Sequence, residues 1–289
     1  MLTSYVILFL AVFCLSSSAI FAKLADAPSG IIAFYRLLLA TGFLLFPLLL
    51  RRENRQQLWR LDGRRLLLGV ASGFILALHY VLWFESLKFT SVASSIVLVT
   101  LQPLFTIWGG YLLFGESCGR SAIGGCLLAI IGSVIIGWGD FAVSWRAFLG
   151  DIMALAAAGV IAAYFLIGQQ VRKTLSVVPY SVLGYGSGAF FLAVYSLLCG
   201  YSFTGYSTAT YLDFLGLAFV ATILGQLIFN WLLKWLSATV ISMSILGETV
   251  GTCILSYFIL GETITMQQLV GILCILAGIG GFLYYREHG

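Results

Sequence analysis

Apolar runs of about twenty residues follow one another almost without pause from residue 3 to residue 285. In lipid such a run must satisfy its own backbone, which a helix does and an isolated strand does not. The runs fall at roughly 3–22, 28–50, 66–88, 91–114, 120–138, 149–170, 179–199, 211–233, 237–260 and 265–285. Composition agrees: 61% of the 289 residues are hydrophobic and 9% charged, against about 25% charged in a soluble domain. The expected fold class is therefore an all-α integral membrane protein with ten transmembrane helices. Ala25-Asp26-Ala27 resembles a signal-peptide cleavage site, but no basic residue precedes the apolar stretch, so the first run reads as a span.

The one sizeable polar connection is "RRENRQQLWRLDGRR", between the second and third spans. With an internal N-terminus it is cytoplasmic, as are Arg120, Arg172, Lys173, Lys234 and Arg286. That gives eleven basic residues inside against Lys23, Lys88 and Arg146 outside, and predicts both termini in the cytoplasm. The basic residues form no nucleic-acid-binding domain. The six cysteines lie mostly in apolar runs without metal-type spacing, so neither metal nor cofactor is expected.

"FGES" at Phe114–Ser117 and "LGET" at Leu260–Thr263 coincide when the chain is shifted by 146 residues (261 − 115). The same shift pairs Leu87 with Leu233, Ser91 with Ser237, Gly125 with Gly271 and Gly132 with Gly278. The chain reads as two five-helix repeats, 1–140 and 147–289. Five is odd, so the second copy is inverted in the membrane, a pattern of secondary transporters with a midplane site between repeats. Gly115-Glu116 and Gly261-Glu262 read as tight turns, the glycine capping one helix and the glutamate meeting the N-terminus of the next.

A second LGET, Leu246–Thr249, is unrelated to the turns. Its Glu248 corresponds to Gln102, both at the centres of their spans, and an ionisable group there is costly enough to imply function. Ser72, Leu76, His79, Tyr80 and Trp83 share a face of span three, and Thr222, Gln226 and Asn230 share one of span eight. Arg36, inside span two, needs a partner. Pairing with Glu248 is one expectation, serving a substrate carboxylate the other. Glu85 is expected to reach towards the interface. Pro103 and the "GYGSG" of Gly184–Gly188 mark expected helix breaks in spans four and seven. The candidate substrate-binding residues are thus Arg36, His79, Tyr80, Trp83, Gln102, Gln226, Asn230 and Glu248.

These motifs resemble the drug/metabolite transporter superfamily, EamA type, over both halves. The likeness lies in "QPLFTIWGGYLLFGE" (Gln102–Glu116) and "ETVGTCILSYFILGE" (Glu248–Glu262), where the family shows an acidic-proline and then a Gly-Glu pattern. Here Gln102 replaces the acid of the first half and Thr249 the proline of the second. "AFYR", ending at Arg36, resembles the family's second-helix arginine, and "HYVLWFESLKFTSVASS" resembles a bacterial branch. The resemblance implies a ten-helix carrier in the plasma (inner) membrane of a prokaryote, handling amino acids, nucleotides, sugars, vitamins or drugs.

The expected function is a secondary transporter or facilitator of small metabolites, preferably amino acids or similar zwitterions, exporting by alternating access. A drug or cation carrier, a carrier of other metabolites such as nucleotides or vitamins, and a passive channel are the alternatives. The clustered His, Asp or Cys of a membrane enzyme and the phosphate loop of an ATP-driven pump are both missing from the sequence. Expected partners are the lipid bilayer and a small-molecule substrate, with protons as candidate coupling ions through Glu248.

Overall fold

A computed structural model describes residues 2–90, 92–137, 144–261 and 264–288. Glu262 of the second turn lies outside the described residues, as does the Ser91 of the Ser91–Ser237 pair. Within them the chain is all helix and turn. The helices are α1 (Leu2–Leu24), α2 (Ser29–Leu50), α3 (Arg52–Trp59), α4 (Gly63–Ser86), α5 (Val92–Val99), α6 (Gln102–Phe114), α7 (Arg120–Gly137), α8 (Trp145–Val171), α9 (Val177–Leu198) and α10 (Thr208–Gly216). After a π-helical stretch, Leu217–Gln226, come α11 (Leu227–Leu232), α12 (Ala238–Ile245) and α13 (Gly247–Leu255). A second π-helical stretch, Ser256–Leu260, precedes α14 (Met266–His288). Nine of the described stretches are long and apolar enough to cross a bilayer, and α7 adds a shorter apolar helix over Arg120–Ile136. The chain is a multi-pass membrane protein.

The shift of 146 carries α5, Val92–Val99, onto α12, Ala238–Ile245 (92 + 146 = 238). Spans four and nine both break in mid-membrane, at Thr100-Leu101 and at Leu246. The break is a tightening rather than an unwinding. Three-residue hydrogen bonds flank each, Leu101 N to Leu98 O (3.2 Å) and Leu104 N to Leu101 O (3.0 Å) in one copy. The other copy has Leu246 N to Met243 O (3.2 Å) and Thr249 N to Leu246 O (3.3 Å). Pro103 accounts for the first break by removing an N–H. Span nine breaks at the equivalent place without a proline.

The expected turn caps form. Gly115 and Gly261 adopt left-handed φ of 65° and 70°, which only glycine accepts at little cost. Span seven, by contrast, does not break at "GYGSG", for α9 runs unbroken through it. Its glycines serve close packing instead: a Cβ at Gly188 would stand 2.8 Å from Leu37 Cδ1 and 3.2 Å from the carbonyl of Gly73. The polar connection after span two also differs from expectation, because it folds into α3.

The described chain forms two compact units, residues 1–81 with 167–236, and residues 82–166 with 237–289. Each draws on both halves of the sequence, with boundaries inside α4 and α8. In the first, α2 packs against α9, and Phe214, Leu217 and Ala221 are buried with Ile31 and Ile32. In the second, α7 packs along α14 through paired glycines. A Cβ on Gly125 would lie 2.7 Å from the Gly278 carbonyl, and one on Gly132 would lie 2.6 Å from that of Gly271. Gly125 and Gly132 are themselves the repeat partners of Gly271 and Gly278. The contact is thus reciprocal, as a two-fold relation between copies requires.

Candidate functional site

The first unit holds a buried polar cluster. Arg36 on α2 is 5% exposed, and its Nε donates to Thr222 Oγ1 and its Nη1 to Ser18 Oγ, each at 2.9 Å. Its guanidinium lies 5.2 Å from the ring centroid of Tyr80. No carboxylate of the same unit stands within 4.0 Å of it among the described residues. Two hydroxyls and an aromatic face hold Arg36 inside its own unit. Neutral acceptors and a ring leave its charge uncompensated within that unit, which a buried cation tolerates poorly and an anionic ligand relieves.

Span eight supplies Thr222 through an unusual backbone. In the π-helical stretch the Thr222 hydroxyl donates to the Leu217 carbonyl five residues back (3.0 Å), while its oxygen accepts from Arg36. Such π-segments often mark functional sites. Gln226 ends the stretch, buried, and its Nε2 has no hydrogen-bond partner among the described residues. An unmet amide donor in a buried position costs free energy unless something else accepts from it.

Asn230 follows on α11. Its Nδ2 donates to Ser181 Oγ and Tyr185 Oη, both at 3.2 Å, so this amide is committed to holding span eight against span seven. The Asn230 carbonyl accepts from Nε of Arg172 at 2.8 Å, and Arg172 also donates to the Leu175 carbonyl. Arg172, read from sequence only as a cytoplasmic charge, is in fact buried, and burial pulls its pKa down to about 10. Arginine's high intrinsic pKa keeps it protonated at neutral pH. His79 and Tyr80 on α4 are buried, their rings 5.4 Å apart. Arg36, His79, Tyr80, Gln226 and Asn230 thus share one unit.

Trp83, Gln102 and Glu248 belong to the other. Gln102, the first residue of α6, is buried and donates through Nε2 to Ser242 Oγ on α12 at 2.9 Å. Glu248 is half-buried in the first turn of α13, where free amides favour a carboxylate. The mid-span break thus creates a helix N-terminus for Glu248, and its repeat partner Gln102 opens a helix in the same way. Trp83 stacks on Phe84 at 4.8 Å. Glu85 does not simply reach outward but pairs with Lys88 at 2.6 Å.

The turn glutamate Glu116 lies close against α6. A Cβ on Gly110 would meet its Oε2 at 3.3 Å and Thr239 Oγ1 at 3.5 Å. The carboxylate therefore stands beside α6, in the neighbourhood of the first turn of α12. Residues 115–119, which are not helical, give it that reach.

The EamA-like transporter family matches the chain twice, over residues 2–138 and 148–284. An uncharacterized transporter, YxxF, of Bacillus subtilis (strain 168) is 24% identical over 94% of this chain and 86% of its own length. A probable amino-acid metabolite efflux pump of Salmonella typhimurium (strain LT2) is 32% identical, covering 68% of this chain and 69% of its own. A crystal structure only 16% identical superposes with a TM-score of 0.84 over 99% of this chain and 98% of that one, which shows the fold. Two matched halves, the apolar helices and these relatives agree: the chain is a membrane transporter of the EamA-like family.

Proposed function

We propose that the protein exports small carboxylate-bearing metabolites, amino acids or similar zwitterions, by alternating access, and that Arg36 receives the carboxylate. The observation that carries this reading is a buried guanidinium held by two hydroxyls and a ring, with no carboxylate of its own unit within 4.0 Å among the described residues. Gln226, whose amide lacks a partner in the same unit, supplies a second donor, and Tyr80 an aromatic wall. The substrate contacts extend to His79, Trp83, Gln102 and Glu248 at mid-membrane, with Asn230 fixing the span that carries Gln226. The name of the Salmonella relative favours the same cargo and direction. The charge asymmetry of the connections supports a plasma-membrane protein with both termini in the cytoplasm.

The test is counterflow by purified protein in liposomes against paired compounds, each amino acid with its carboxamide and its decarboxylated amine. Saturable counterflow of the acids, at least tenfold faster than of the amides, is expected if one charge-assisted contact of about 1.5–3 kcal/mol is at stake. Equal rates for acid and amide would remove the role of Arg36. Steady conductance without saturation would make the protein a channel.

A further inference from the structure

The polar segment after span two is not a slack connection. Asn54, buried on α3, donates through Nδ2 to the Pro47 carbonyl of α2 (3.2 Å), and Gln57 Oε1 accepts from the backbone N–H of Ser176 (2.9 Å). These two contacts lay α3 across this end of the first unit. Between it and the start of span seven runs a polar groove of about 300 Å³, lined by Glu53, Gln56, Gln57, Arg60, Arg65 and Thr174 with Leu175. Just outside stands Trp59, 86% exposed, at the end of α3.

A tryptophan this exposed is out of place in water and suited to the headgroup layer of a bilayer. Residues 51–65 also carry six arginines against only Glu53 and Asp62. Asp62 meets Arg65 through a 3.6 Å contact with both side chains well exposed, which neutralises little. The carbonyls and amides of the groove, with two guanidiniums beside them, match a phosphate bearing hydroxyl-rich substituents.

We propose that this groove is a binding site for the headgroup of an anionic phospholipid, with Arg60 and Arg65 on the phosphate and Trp59 seated among the neighbouring headgroups. The remaining arginines supply the longer-range attraction. The site is independent of the transport residues, since none of them lines it.

Native mass spectrometry of the full-length protein released from mixed phosphatidylglycerol and phosphatidylcholine tests this. Phosphatidylglycerol should be retained preferentially by the unaltered protein. Preference should fall by roughly fivefold for each arginine removed in Arg60→Gln and Arg65→Gln. Arg51→Gln with Arg52→Gln, equally exposed but outside the groove, should lower it less, and Trp59→Ala should lower retention of both lipids. Unchanged melting in phosphatidylcholine checks that the variants are folded. Equal losses from the two arginine pairs would reduce the site to diffuse charge and overturn it. Displacement of the lipid by millimolar inorganic phosphate would overturn it too, by making the groove a free-anion site.

Discussion

The second unit keeps the symmetry of the duplicated sequence down to its contacting glycines, whereas the first keeps it in the pairing of α2 with α9 but not in its polar side chains. In the second, Gly125 meets Gly278 and Gly132 meets Gly271, repeat partners in reciprocal contact, and both broken spans break at equivalent residues. In the first, the residues opposite Arg36, Ser18 and Thr222 under the same shift are Val182, Tyr164 and Leu76. None of these could repeat the polar cluster. The backbone diverges as well: span three is α-helical throughout α4, while its counterpart carries ten π-helical residues. A duplicated scaffold needs self-complementary packing, which small residues supply. A substrate with distinct ends needs a site that is not the same twice. On the proposed reading the asymmetric positions are where the chemistry of this chain is concentrated, Glu248 against Gln102 being such a pair at the centres of the second unit's spans.

The comparison can be broken most severely at Glu248. Glu248→Gln makes the two mid-span positions alike, and the account predicts loss of both counterflow and gradient-driven uptake in liposomes. Retained counterflow with driven uptake lost would instead assign Glu248 to proton coupling. The symmetric packing is tested next. Gly125→Ala and Gly132→Ala place a Cβ within 3 Å of backbone atoms on α14, and each should cost about 1–3 kcal/mol in detergent melting. Gly280→Ala, with nothing within 4 Å of the added carbon, should be neutral or slightly stabilising. Glu116→Gln should cost less than Gly125→Ala or Gly132→Ala, about 0.3–1 kcal/mol of stability, with turnover per folded molecule unchanged. A selective loss of turnover there would move Glu116 from the scaffold to the mechanism.

Spans, repeat and turn caps were legible because they depend on composition and on glycine, both local properties. Glycine alone is ambiguous. At Gly115 it permits a left-handed turn, whereas at Gly188 it admits a neighbouring helix, and only the packing against Leu37 and Gly73 tells them apart. α3 was hidden because its eight residues, six of them polar, carry no apolar periodicity and are held by contacts with Pro47 and Ser176. The π-helical stretch has no proline or charge to announce it. Its i to i−5 bond at Thr222 is seen only together with Arg36. The burial of Arg172 was not legible because its acceptors are two backbone carbonyls, which leave no trace in side-chain identity. The individual site residues stood out as polar groups in apolar runs, but their partners did not.

The central claim, that Arg36 receives the substrate's carboxylate, is tested most directly by a cycle of equilibrium binding. An amino acid found by counterflow and its carboxamide are titrated into the purified protein and into Arg36→Gln, which can still donate to the Thr222 or Ser18 hydroxyls. The account predicts that the variant binds the acid roughly ten- to a hundredfold more weakly, about 1.5–3 kcal/mol, while its affinity for the amide barely changes. Acid and amide weakened by the same factor would contradict it, leaving Arg36 as a strut of the first unit and the carboxylate bound elsewhere.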